Sequence, residues 1–432
     1  MTKDLRVNSD RMLASFNQLA LIGATVDGGV NRPTFSEAHL AARKWFREEV
    51  ERSGLQFRTD GAGTYSALLP VIASPVGAKQ SPTRVEIASG QRTPLAMTLL
   101  LGSHLDSVPN GGRFDGALGV VAALEALRTV KENGINLKVQ LEAIDFTDEE
   151  GTLVGLLGSA AISGHLRQKD LQSPRGGREN LVEGMSRAGL SDESMLSAAR
   201  PKDSLAGYLE LHIEQGRRLE RAKIDIGVVS AIVGIGSYRL SFIGRADHAG
   251  TATMDDRLDA SLGASAFTLA ARELVMKDFP SCVVNVGKMD FAPGAFNIVP
   301  ARVDVALEFR SPTEADFDNM DAALIALAKE RALQFGLELK IEFLGKHVPT
   351  PMAQVVQRAY ADACDDLGLT HTPLTSGAGH DGQSLADLCP VGMIFVPSVN
   401  GTSHSPREFT KWEDCVNGAN VLLHAALRLA AE

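Results

Sequence analysis

An apolar run at 95–101 passes directly into Gly102-Ser103-His104-Leu105-Asp106-Ser107-Val108-Pro109-Asn110-Gly111-Gly112-Arg113-Phe114-Asp115-Gly116. The run has the length and composition of a buried strand, and Val120, Leu124 and Leu127 recur at helical spacing, which predicts a helix over 116–130. A buried strand, a Gly-rich loop and a helix in that order constrain the chain to a layered α/β architecture. The loop also gathers one His and two Asp beyond the strand's carboxyl end, where sites in such sheets form. Imidazole and carboxylate together suit a borderline divalent cation. Asp106, two residues after His104, is placed to take the other ring N–H and fix its tautomer. A Gly/Asn turn that happens to carry a His would give the same string, so the rest of the chain has to decide.

The alternation continues. Residues 8–55 read as helical, with one helix opening at Ser9, Arg11 and Met12 and a second over 36–52 behind the N-cap Ser36. Residues 71–93, rich in Pro, Ser, Gly, Lys and Arg, read as an exposed loop or irregular hairpin. Strands are predicted at 139–146, 208–213 and 391–396, and helices from 155 and over 415–430. The expected first layer is a mainly parallel sheet flanked by helices. Between about 232 and 345 the rhythm changes: strand 238–243, helix 256–277, strand 283–289, strand 301–309, helix 314–335, strand 337–343. Val303, Val305, Leu307 and Phe309 share one face of the fourth of these elements. That β-α-β-β-α-β order is ferredoxin-like. The reading is a catalytic domain in two parts, 1–231 and 346–432, split by an inserted domain at 232–345.

Bulk properties exclude several classes. A net charge of −10 makes nucleic acid an unexpected partner. The 4 Cys lie far apart without a CxxC, as in a reduced chain, and read as core residues. The segment MTKDLRVNSDRML has no apolar signal core, and no run reaches the ~18 apolar residues of a membrane span. A soluble, cytoplasmic protein is expected.

The candidate ligands sit just past strands: His104 and Asp115; Thr147-Asp148-Glu149-Glu150-Gly151; His212 in Leu211-His212-Ile213-Glu214-Gln215-Gly216; and His404 in Ser403-His404-Ser405-Pro406. One metal cannot use them all and keep an open position, because catalytic zinc keeps about three protein ligands. Two metals sharing one bridging carboxylate can. In the Glu149-Glu150 pair, one acid can bind metal while its neighbour handles a proton. A solvated acidic loop, a structural His at a strand end and a turn His are the ordinary readings of these residues taken singly. His380-Asp381 is a weaker candidate, and His39, His165, His347, His371 and His424 read as surface or packing residues.

Seven motifs, GSHLDSVPNGGRFDG, DFTDEEG, LELHIEQG, ADHAGTATM, PGAFNIVPARVDVALEFR, GAGHD and SHSPRE, occur in an order that resembles the M20 metallopeptidase superfamily, and within it the hydantoinase/carbamoylase branch of amidohydrolases. The resemblance covers nearly the whole chain. It implies that His104 and His212 hold one divalent ion (Zn, Mn, Co or Ni), that Glu150 and His404 hold a second, and that Asp115 bridges. Glu149 is then the general base, with Asp106 and His248 as further catalytic residues. Gln215, Asn297, Arg310 and Gly379 are then substrate residues, Asn297 and Arg310 gripping a carboxylate. His at 212, where peptidase relatives place an acid, points to a ureido substrate. The inserted domain resembles a lid and dimerisation domain, so a homodimer is expected, with His248 crossing between subunits. The implied reaction cleaves the carbamoyl C–N bond of an N-carbamoyl-L-amino acid. Allantoate hydrolysis and β-ureidopropionase activity stay open beside it, with an aminoacylase or dipeptidase and an inactive dimeric binding protein further off. The string HAGTATM departs from the usual HAGTTPM by losing the Pro.

Overall fold

The computed structural model describes residues 3–69 and 97–431. The 71–93 loop and the first two residues of the 95–101 strand lie outside the described residues. The strands, in chain order, are β1 (Gln56–Thr59), β2 (Tyr65–Leu69), β3 (Thr98–His104), β4 (Gln140–Phe146), β5 (Leu205–Ile213), β6 (Ile226–Ile232), β7 (Gly234–Ile243), β8 (Val283–Ala292), β9 (Arg302–Ser311), β10 (Glu338–His347), β11 (Thr350–Pro351), β12 (His371–Ser376) and β13 (Val391–Val396). The chain forms two compact units, one of Met1–Ser230, Met352–Leu374 and His380–Glu432, the other of Ala231–Pro351 with Thr375–Gly379.

Among the described residues the larger sheet has nine strands, in the order β1-β2-β4-β3-β5-β13-β6-β11, with β12 also on β6. β4, β3, β5 and β13 run parallel. β1 and β2 form a hairpin on one flank, and β6 joins the other antiparallel. The sheet is therefore mixed, and the expected mainly parallel layer holds only for its central four strands. The physical reason is connection length. Parallel neighbours need a crossover of a dozen or more residues, which the helices supply at the centre, whereas the short 60–64 turn can only return the chain antiparallel. The central strands are buried on both faces: Leu99, Leu101, Leu209, Leu211, Ile213, Ile394 and Val396 share one core with helices Ala117–Glu132 and Trp412–Ala431. Ser36 caps helix Glu37–Arg52, its hydroxyl accepting from the His39 N–H. The four cysteines are buried and unpaired. Short helices also occur at Gln168–Gln172, Arg178–Ala188 and Asp192–Leu196, beyond the elements expected from the sequence. No helix among the described residues is long and apolar enough to cross a membrane.

The second unit has β7, helix Ala260–Asp278, β8, β9, helix Glu314–Gln334 and β10, a β-α-β-β-α-β chain order. Its sheet runs β10-β7-β9-β8, antiparallel throughout. Val303, Val305, Leu307 and Phe309 are buried against the two helices, as period-two alternation requires. β8 is an edge strand. The outward side of helix Ala260–Asp278 carries Leu262, Leu269 and Met276, spaced by seven and all exposed.

Candidate metal centre

The four parallel strands deliver the site. β3 ends on His104, so this residue is strand rather than loop; β4 ends two residues before Asp148; β5 carries His212 as its penultimate residue; β13 leads by a short loop to His404. The first loop folds back over its own strand. Gly116 has φ +63, and a Cβ there would meet the His104 ring at 2.4–2.5 Å, so only glycine lets the backbone pass between imidazole and helix start. The Gly116 N–H then reaches His212 Nε2 at 3.3 Å.

Both buried imidazoles use Nδ1 for the backbone. His104 Nδ1 lies 3.0 Å from the carbonyl of Asp106, and His212 Nδ1 lies 2.9 Å from the carbonyl of Ile213. Each is thus oriented to present Nε2. The expected partner of His104 was the Asp106 carboxylate, which stands 3.7 Å away. That carboxylate instead accepts the N–H of Glu149 at 3.3 Å and of Glu150 at 3.2 Å, and the Thr34 hydroxyl at 3.1 Å. Asp106 therefore holds the acidic pair rather than the ring, because the loop carbonyl is nearer to Nδ1 than its own side chain can come. Arg175 supports the same pair from behind through the carbonyls of Glu150, at 2.8 Å, and Gly151.

Asp115 stands at the centre. Its Oδ1 is 3.0 Å from His212 Nε2 and 3.7 Å from His104 Nε2, and its Oδ2 is 3.5 Å from His404 Nε2. His404 Nε2 is also 3.7 Å from Glu150 Oε2. Two donor triads result, His104–Asp115–His212 and Asp115–Glu150–His404, each with atoms within 4.8 Å of one another and each able to hold a metal ion. Glu149 Oε2 lies 3.4 Å from His104 Nε2.

The electrostatics match a cation. Burial alone would raise Asp115, but His212 and His104 overcome it and hold its carboxyl well below the usual range. Burial opposes charge on His212 as well, yet Asp115 pushes it up to about 9. Glu149 and Glu150 are pushed well above the ordinary carboxylate range, first by burial and then by neighbouring carboxylates, Asp381 for Glu149 and Asp115 for Glu150. His104 Nε2 is buried without a hydrogen-bond partner. Crowded acids, a partnerless ring nitrogen and a proton drawn onto His212 all mark a place where positive charge is missing. The donor set, imidazole and carboxylate without thiolate, fits Zn, Mn, Co or Ni.

Other expected residues are distributed unevenly. Gln215 is in the cluster, donating from Nε2 to Asp115 Oδ2 at 2.8 Å. His380 packs edge-on against His212 with ring centroids 4.8 Å apart. With Glu210 and His212 it forms a third buried triad. Glu210 was missed: inside the run Tyr208-Leu209-Glu210-Leu211 it reads as a solvent-facing residue of a strand, but this strand has no solvent face.

His248, Asn297, Arg310 and Gly379 belong to the second unit. His248 bridges to Ile298, and the Ala249 N–H bonds to the Asn297 carbonyl at 3.0 Å, so these two exposed residues sit together beyond the Ile243 end of β7. Arg310 is paired with Ile235 at the other end of that strand. Its guanidinium bonds Glu308 Oε1 through Nε at 2.9 Å and Nη2 at 2.8 Å, and the Gly377 carbonyl through Nη1 at 2.5 Å. Gly379 is two residues further along the same short segment. From Arg302, which pairs with Ile243, to Arg310 is eight strand residues, about 27 Å. Within one copy, Asn297 and Arg310 therefore lie toward opposite ends of β9.

Residues 100–428 match the family described as Peptidase family M20/M25/M40. The chain belongs to that family. It is 35% identical to the N-carbamoyl-L-amino acid amidohydrolase of Geobacillus stearothermophilus over 98% of this chain and 99% of that one. It is 31% identical to the allantoate amidohydrolase of Bacillus subtilis over 95% of each. The crystal structure of an amidase of the hydantoinase/carbamoylase family from Burkholderia multivorans superposes with a TM-score of 0.87, at 32% identity over 99% of both chains. The M20 chain described here is thus a hydrolase of the hydantoinase/carbamoylase branch.

Proposed function

We propose that this chain is a two-metal amidohydrolase that cleaves the carbamoyl C–N bond of N-carbamoyl-L-amino acids, releasing the amino acid, CO₂ and ammonia. The observation that carries the reading is the division of Asp115: one oxygen faces His104 and His212, the other His404, with Glu150 beside it. His104 and His212 would hold one cation, Glu150 and His404 the other, with Asp115 between them. Bound divalent cations supply Lewis acidity, making water acidic enough to lose a proton near neutral pH and polarising a carbonyl oxygen.

The residues of the chain do the rest. Glu149, held beside His104 by the Asp106–amide contacts, accepts the proton of the attacking water and returns it to the departing nitrogen. The carbamic acid released falls apart to CO₂ and ammonia. Arg310 pairs with the substrate carboxylate, and two of its N–H groups remain for a bidentate contact once Glu308 and Gly377 have taken three. His248 donates to the reacting carbonyl oxygen, with Asn297 beside it.

The placement of Arg310 and of the His248–Asn297 pair at opposite ends of β9 supports a site built by two copies, one giving the arginine and the other the pair. In this reading the unit of residues 231–351 is the lid and dimerisation domain, joined through the β8 edge and the Leu262–Leu269–Met276 face. Similarity to the Bacillus subtilis enzyme supports allantoate as the second substrate to test. The deciding experiment is ammonia release screened across N-carbamoyl-L-amino acids, allantoate, ureidoglycolate and N-acetyl amino acids, before and after chelation and after restoring Zn, Mn, Co or Ni. Turnover of the N-acetyl series alone, or full activity in metal-free protein, overturns the reading.

A further inference from the structure

Glu408 lies four residues past His404 and is 4% exposed. Its Oε1 accepts the backbone N–H groups of Phe114 and Asp115, both at 3.0 Å. Its Oε2 accepts the Ser403 hydroxyl at 3.0 Å. That hydroxyl is 3.2 Å from Asp115 Oδ2 and receives the Gln215 amide at 3.2 Å. One carboxylate thus ties the loop ending on Asp115 to the loop carrying His404, although Asp115 and Ser403 are 288 residues apart in sequence. Space for it is made at Gly112, where a Cβ would stand 2.0 Å from Glu408 Oε1 and 2.5 Å from its Cβ. The second glycine of Asn110-Gly111-Gly112 is therefore a socket for a distant side chain.

His104 and His212 are carried on strands, fixed by the sheet. Asp115 and His404 are carried on loops, and nothing in the ladder sets their separation. We propose that Glu408 is the positioning residue that sets it, and that it thereby controls the affinity of the Asp115–Glu150–His404 cation site while leaving the His104–Asp115–His212 site largely alone. The proposal rests on the two-metal reading above. Removing such an outer support of a ligand commonly weakens metal binding about 10–100-fold.

The test is Zn²⁺ and Mn²⁺ titration against a competing chelator, with metal per chain and melting temperature measured in parallel, for the parent, Glu408→Ala, Glu408→Gln and Gly112→Ala. The parent is expected to take up two cations. In E408A the weaker-held cation is expected to be lost roughly 10–100-fold more easily while the other stays near parental affinity. E408Q should fall between, since an amide oxygen can still accept both N–H groups. G112A, which expels the carboxylate without altering it, should behave like E408A. Should E408A not fold, E408Q and G112A decide by the same criterion. Parental affinity for both cations in these variants overturns the proposal. So does equal weakening of both at an unchanged melting temperature, which would mean that the carboxylate positions Asp115 for both cations alike. A parent that binds fewer than two cations overturns the two-metal reading itself, a distinct result because it appears before any substitution is made.

Discussion

Glu149 and Glu150 are neighbours in sequence, hang from the same Asp106 carboxylate, and face different donors. They should separate cleanly on mutation. Glu149→Gln is expected to keep metal content and melting temperature but lose turnover by about 10²–10⁴-fold, the usual worth of a positioned acid–base group. Glu150→Gln should instead lose metal. Metal analysis beside kcat distinguishes the two, and near-normal turnover in E149Q would remove Glu149 from the proton path. The shift on His212 gives a second expectation. Its folded pKa of about 9 is above that of a free imidazole, so it contributes stability that is whole below about 6.5 and is lost as pH rises through 9. The raised Glu149 and Glu150 act in the same direction. Chelator-treated protein should melt lower at pH 9.5 than at pH 6.5, and Asp115→Asn should flatten that slope. A cation displaces the same proton, so metal affinity should climb across this window. These residues were legible because His, Asp and Glu next to an apolar run and a glycine are conspicuous. Glu408 and Glu210 were not. The first acts through backbone N–H groups almost three hundred residues away, and the second is a polar letter inside a strand whose two faces are both covered.

At the level of the element, β9 is informative because its pattern could be read and its consequence could not. Alternation of Val303, Val305, Leu307 and Phe309 gives the buried face directly. It also puts Glu308 and Arg310 together on the other face, where the carboxylate orients the guanidinium. Arg310→Ala should remove a charge-assisted pair worth about 1.5–3 kcal/mol, roughly tenfold to a hundredfold in kcat/KM. The loss should be seen with carboxylate substrates and should largely vanish with neutral ureas. An equal loss for both would make Arg310 a structural residue. What the sequence did not reveal was distance. Motifs adjacent in a linear reading, PGAFNIVP and the arginine that closes the strand, lie at opposite ends of a ten-residue element. The flanks of the large sheet escaped for a related reason: strand direction depends on the length of the connection, which the apolar pattern of each strand does not encode.

For the whole molecule, the expected outcome is obligate pairing through the second unit. Leu269→Glu with Met276→Glu should yield monomers by light scattering, with metal content retained and activity lost. Mixing Glu149→Gln subunits with His248→Ala subunits should restore activity, because one of the two composite sites in the mixed dimer has both residues intact. Failure in a sample shown to exchange subunits would return His248 to its own subunit or remove it from catalysis. The β8 edge has a further consequence, concerning the fate of an unpaired chain. A strand of ten residues whose outer hydrogen-bonding row has no partner strand among the described residues, with exposed Val283 and Phe291 on it and an apolar helix face beside it, invites indiscriminate sheet growth. Lys288 and Asp290 offer modest protection, and they neutralise each other at 2.7 Å. Dilution or interface mutation should therefore shorten the protein's life in solution as well as silence it, with turbidity rising on warming before the large sheet itself has melted.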